Sequence, residues 1–142
     1  MSGTPAVNSP SLARRLVPNA LIASGLAIML PALPPHFLGI AFGPGIGGVI
    51  AGVRAKARFT EAGLLGILTG LGVAVVSLLF LLLVQFVRMS VPASSVDGTI
   101  FAQLDAGSGF AITLGVAGYA TITAALGAAL GGWLARRNQP PA

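Results

Sequence analysis

The stretch AGLLGILTGLGVAVVSLLFLLLVQFV, from Ala62 to Val87, contains no charged side chain. About 20 apolar residues let a helix cross the hydrocarbon core of a bilayer, and this run exceeds that. It is apolar on every side, so it has no polar face to offer water. Going outward towards the N-terminus, the chain passes Glu61 and the basic cluster Arg54-Ala-Lys56-Ala-Arg58, then a second apolar run from Phe37 to Val53. Pro31-Ala-Leu-Pro-Pro-His36 separates that run from another, Leu16 to Leu33, which Arg14-Arg15 precede. On the other side Arg88 closes the long run. A polar stretch leads to Phe110–Leu134, which Arg136-Arg137 close.

This pattern predicts an all-α membrane protein with four transmembrane helices, at about residues 12–33, 37–54, 62–87 and 110–134. A disordered N-terminal tail, 1–11, and a C-terminal tail, 138–142, flank the domain at 12–137. The first two runs are short enough that a re-entrant hairpin is the alternative to two full spans. Pro18 is expected to kink the first helix near its start, and Pro44 to bend the second and free a carbonyl. A short interfacial helix is expected from Ser94, with Val96, Ile100, Phe101 and Leu104 on one face.

Composition agrees. Of 142 residues, 55% are hydrophobic and 8% charged, whereas soluble domains carry roughly 25% charged residues. The net charge is +5, but no basic face or aromatic stacking platform points to nucleic acid. Seven of the eight basic residues (Arg14, Arg15, Arg54, Lys56, Arg58, Arg136 and Arg137) fall on one side of a four-span chain. Positive residues mark the cytoplasmic side, so both termini are expected in the cytoplasm of a cell (inner) membrane. Arg88, Asp97 and Asp105 fall outside. Arg14-Arg15 before a short apolar run fits a signal peptide only loosely, and no cleavage site follows.

Small residues recur at helical spacing. Gly39, Gly43 and Gly47 form a row that Ala51 continues; Gly48 and Gly52 form a second, Gly66 pairs with Gly70, and Gly127 with Gly131. Residues four apart share a helix face, and glycines there let two backbones approach closely. The second and fourth spans are expected to touch through Gly43, Gly47, Gly127 and Gly131, with Leu81 facing lipid. The chain also repeats itself. Gly43-Pro-Gly-Ile-Gly47-Gly48-Val-Ile-Ala51 aligns with Gly127-Ala-Ala-Leu-Gly131-Gly132-Trp-Leu-Ala135, and both lead into arginine. Two helical hairpins in parallel orientation would give this repeat.

Chemistry-bearing residues are few. There is no cysteine and one histidine, His36, so no metal site, cofactor site or catalytic constellation is expected. No acid or base lies deep in a span, which argues against a lone proton-coupled transporter. Glu61 lies across the membrane from Asp97 and Asp105, which could share the outer side with His36. The spans hold only mild polar residues: Asn19, Ser24, Thr69, Ser77, Gln85, Thr113, Tyr119, Thr121 and Thr123.

The segment Pro44 to Gly52, the Gly-Leu-Leu-Gly stretch from Gly63 and the Leu-Gly-Gly-Trp-Leu-Ala ending from Leu130 resemble a loose group of small, glycine-rich, four-span prokaryotic membrane proteins of unknown function. That resemblance implies a fold and no activity. Small multidrug exporters need a glutamate in the first span, which has none here. The polar segment of fluoride channels is also missing, and phage holins match only in size and basic tail. The first functional expectation is a non-enzymatic scaffold or accessory subunit, assembled through glycine-rich helix faces with a larger membrane partner or as a homo-oligomer. The second is a small oligomeric channel or transporter; a membrane enzyme comes third. The lipid bilayer is an expected partner, and nucleic acid is not.

Overall fold

In the computed structural model the run 62–87 lies within a single helix of 32 residues. The structure describes residues 11–33, 36–90 and 106–138. Helix α1 is Leu12–Met29, extended by a 3-10 turn at Leu30–Ala32. α2 is His36–Ala55, α3 Phe59–Ser90 and α4 Ala106–Arg137. All four are long and apolar enough to cross a membrane. The N-terminal tail, the interfacial helix expected from Ser94, Asp97, Asp105 and the His36 side chain lie outside the described residues.

α1 packs on α2, and α3 on α4; the two hairpins meet through α2 against α4 and α1 against α3. α2 therefore sits between α1 and α4. Ion pairs and hydrogen bonds join the starts of α1 and α3 to the ends of α2 and α4. Odd and even helices thus run in opposite directions, with every basic cluster at one end of the bundle.

Length then shapes the other end. At about 1.5 Å per residue, the 21 residues from Leu12 to Ala32 span roughly 30 Å, the thickness of the hydrocarbon core. α3 and α4, at 32 residues each, reach about 48 Å and project beyond α1 and α2.

The core is built from small side chains. Ala20 and Ala23 of α1, Ala51 and Ala55 of α2, Ala62 of α3 and Ala128 of α4 are buried together around Leu16 and Leu65. Large side chains point outward: Leu82 is 64% and Phe86 68% exposed. In water such a surface would aggregate. In lipid it is solvated, and the helices are held by close van der Waals contact rather than by expulsion of water.

The α2–α3 turn has one unusual residue. Lys56 N–H donates to Val53 O at 3.2 Å and Ala57 N–H to Gly52 O at 3.0 Å, the paired bonds of a Schellman cap. The cap needs a left-handed residue at its centre, where glycine is usual. Here it is Lys56, with φ 48°. For a residue with a Cβ that conformation costs roughly 1–2 kcal/mol.

Candidate functional site

The glycines make three seams, and adjacent glycines serve different neighbours. A Cβ on Gly47 would come within 2.8 Å of Ala23 O, and one on Gly43 within 3.6 Å of Leu26 O, both in α1. A Cβ on Gly48 or Gly52 would collide with the Ala124 or Ala128 backbone of α4. One residue turns the face by about 100°, so neighbours in sequence look at different helices. From the other side, Gly127 and Gly131 lie against the backbone of Gly45 and Val49. The third seam joins α3 to α4: Gly66 faces Ala125 and Gly70 faces Thr121. Gly39 abuts the Leu30 carbonyl in the turn after α1.

This corrects two expectations. Gly43 and Gly47 face α1, and the α2 side of the α2–α4 seam is Gly48 and Gly52. The doublet Gly47-Gly48 offers both faces, and only the position of α2 between two partners assigns them. Leu81 does not simply face lipid: it is half-buried, and its side chain fills the space beside Gly109.

Pro44 lies inside α2 and the helix continues through it. Proline has no N–H for the carbonyl of Ile40. One residue on, Ala41 O accepts a hydrogen bond from the Tyr119 hydroxyl of α4, so a polar tie crosses the seam beside the proline.

At the basic end a network links all four helices. Arg15 Nη2 donates to Glu61 Oε1 at 2.6 Å, and the Arg58 backbone N–H donates to Glu61 Oε2 at 2.9 Å. Glu61 thus caps α3 as the third helical residue reaching back, and pairs with α1 at the same time. Arg54 Nε donates to Asn19 Oδ1 at 3.2 Å, and Arg136 donates to Ala57 O. Arg137 lies over the Trp133 ring, 5.3 Å from its centroid. Glu61→Ala should cost about 1–2 kcal/mol, mostly the cap, since an exposed ion pair adds less than about 1 kcal/mol. Glu61→Gln, which keeps an acceptor for the cap, should fall between in a detergent melting experiment.

Two further features lie inside the bundle. Where α3 and α4 outrun α1, a cavity of about 450 Å³ opens between Ala27 and Ile28 of α1, Val73 and Phe80 of α3, and Ile112 and Val116 of α4. Its lining is almost wholly apolar. Deeper in, Thr69 is fully buried, and its hydroxyl has no hydrogen-bond partner. No charged side chain is buried among the described residues.

No family model, curated protein or solved structure matches the chain.

The structure therefore brings Arg15, Arg54 and Arg136 into one network, and places Gly39, Gly43, Gly47, Gly48, Gly66, Gly70, Gly127 and Gly131 at contacts within the chain. Three participants were not foreseen from sequence. Gly132, against the Ala57 backbone, is signalled by the second glycine doublet. Gly72, against Ser24 Oγ, has Leu68 and Val76 four residues away on either side and so belongs to no four-residue glycine pair. Asn19, the acceptor for Arg54, has no sequence signal of its own.

Proposed function

We propose that the chain is a non-enzymatic scaffold or accessory subunit of a cell (inner) membrane, with both termini and the α2–α3 turn in the cytoplasm. One observation carries this reading: every charged side chain of the described bundle sits at an end, and the interior is mostly alanine and glycine, with a few larger apolar side chains and hydroxyls. Carriers of protons and ions keep costly charges at membrane depth, and acid–base catalysts need titratable groups in a cleft. Neither arrangement is present in the described bundle. Close backbone contact through glycine joins the helices, and the apolar outer surface is left for a larger membrane partner. Arg14, Arg15, Arg54, Lys56, Arg58, Arg136 and Arg137 support the cytoplasmic assignment by the positive-inside rule.

Purification from membranes in mild detergent, followed by native mass measurement, tests this. The expected result is a complex of this chain with a larger membrane protein, and no ion flux when the chain alone is placed in liposomes. A closed ring of copies that passes ions would overturn the scaffold reading in favour of a small oligomeric channel or transporter.

A further inference from the structure

We infer that the basic end of the bundle is a docking surface for the phosphate headgroups of anionic phospholipids, with Arg14, Lys56 and Arg58 as the free contacts. The inference rests on the four-span fold and not on the scaffold reading. Charge complementarity is the first ground. Seven basic residues lie at this end against one acid, Glu61. That acid is already bonded to Arg15 and to the α3 cap. Arg54, Arg136 and Arg137 are held by Asn19, Ala57 and the Trp133 ring. The side chains of Arg14, Lys56 and Arg58 are exposed and make no hydrogen bond or ion pair.

Depth is the second ground. Trp133 is half exposed, one turn before the end of α4. Tryptophan rings settle at the headgroup level of a bilayer, so the guanidinium stacked on Trp133 lies where phosphates are. The hydrogen bond from Arg136 to Ala57 O brings the Lys56 turn to the same level. Clusters of four to eight basic residues beside membrane helices attract anionic headgroups, by a term that falls with salt.

Lys56 is the third ground. It occupies a left-handed position that glycine would fill without strain. Nothing in the fold uses its ammonium group. Strain kept at an exposed lysine is accounted for if that charge has a ligand outside the protein.

Trp133 is the only tryptophan, so it reports on adjacent lipid without a label. The full chain is placed in phosphatidylcholine vesicles containing equal fractions of either brominated phosphatidylglycerol or brominated phosphatidylcholine. The anionic lipid should quench Trp133 more strongly, and added salt should erase the difference. Lys56→Gly should lower the preference by up to about fivefold, while melting at a higher temperature than the parent. Adding Arg14→Gln and Arg58→Gln should remove most of the remaining preference. Equal quenching by the two lipids in the parent chain overturns the proposal. So does an undiminished preference in Lys56→Gly, a variant that relieves strain and so tests the charge without endangering the fold.

Discussion

Gly52→Leu should leave little folded bundle in detergent, whereas Leu82→Ile should melt within about 0.5 kcal/mol of the parent. A Cβ at position 52 already falls on the Ala128 backbone of α4, which has no rotamer by which to yield. The remaining side-chain atoms of leucine would force α2 and α4 apart along the whole seam. Even modest overpacking of a core costs roughly 1–3 kcal/mol. Separating two backbones also forfeits the dispersion contacts that hold helices together in lipid, so a loss beyond about 3 kcal/mol is expected. Leu82 is mostly exposed on α3 and touches no seam. Size-exclusion profile and thermal melting measure both variants; equal behaviour would mean that the α2–α4 seam does not hold the bundle. Gly47→Leu should also destabilise, by opening α2 from α1 rather than from α4.

Thr69→Val should make the protein more stable, by about 1–3 kcal/mol. Most other described hydroxyls in the helices bond the carbonyl one turn back: Ser24 to Ala20 at 2.9 Å, Thr113 to Gly109 at 2.9 Å and Thr121 to Ala117 at 2.8 Å. The fully buried Thr69 hydroxyl does not. Its own carbonyl instead accepts from Ser24 Oγ across the α1–α3 contact at 3.3 Å. Valine has the same branched shape and removes the unpaired donor, so packing is kept and a desolvation penalty disappears. Thermal melting in detergent gives the sign directly. A lower melting temperature for the valine variant would mean that the hydroxyl is hydrogen-bonded inside the bundle.

The four helices were legible in the sequence because lipid imposes a plain rule on composition and length. Their ends were less so. α3 begins at Phe59 and ends at Ser90, and α4 begins at Ala106 and ends at Arg137, beyond the apolar runs on both sides. Hydropathy reads where lipid stops, and a helix carries on past that point while its hydrogen bonds hold. Likewise, the glycine rows announced close packing without naming the neighbour. Gly47-Gly48 presents two faces at once, and which face meets α1 depends on where the second hairpin docks. Nothing in Ala55-Lys56-Ala57 marks a left-handed cap, because that signal is ordinarily a glycine. The orphan Thr69 hydroxyl was illegible for a different reason: whether a buried hydroxyl finds a partner depends on the packed arrangement around it.

The proposed orientation, with the basic end of the four-span bundle in the cytoplasm, can be read by single-cysteine accessibility. The chain has no cysteine, so each introduced thiol is read without background. Lys56 and Asn138 lie at the basic end, Leu33 and Ser90 towards the far end. In intact cells an impermeant maleimide should label Leu33→Cys and Ser90→Cys, and should reach Lys56→Cys and Asn138→Cys only after the membrane is opened. Labelling at 56 or 138 in intact cells, or protection of both 33 and 90, would overturn this topology.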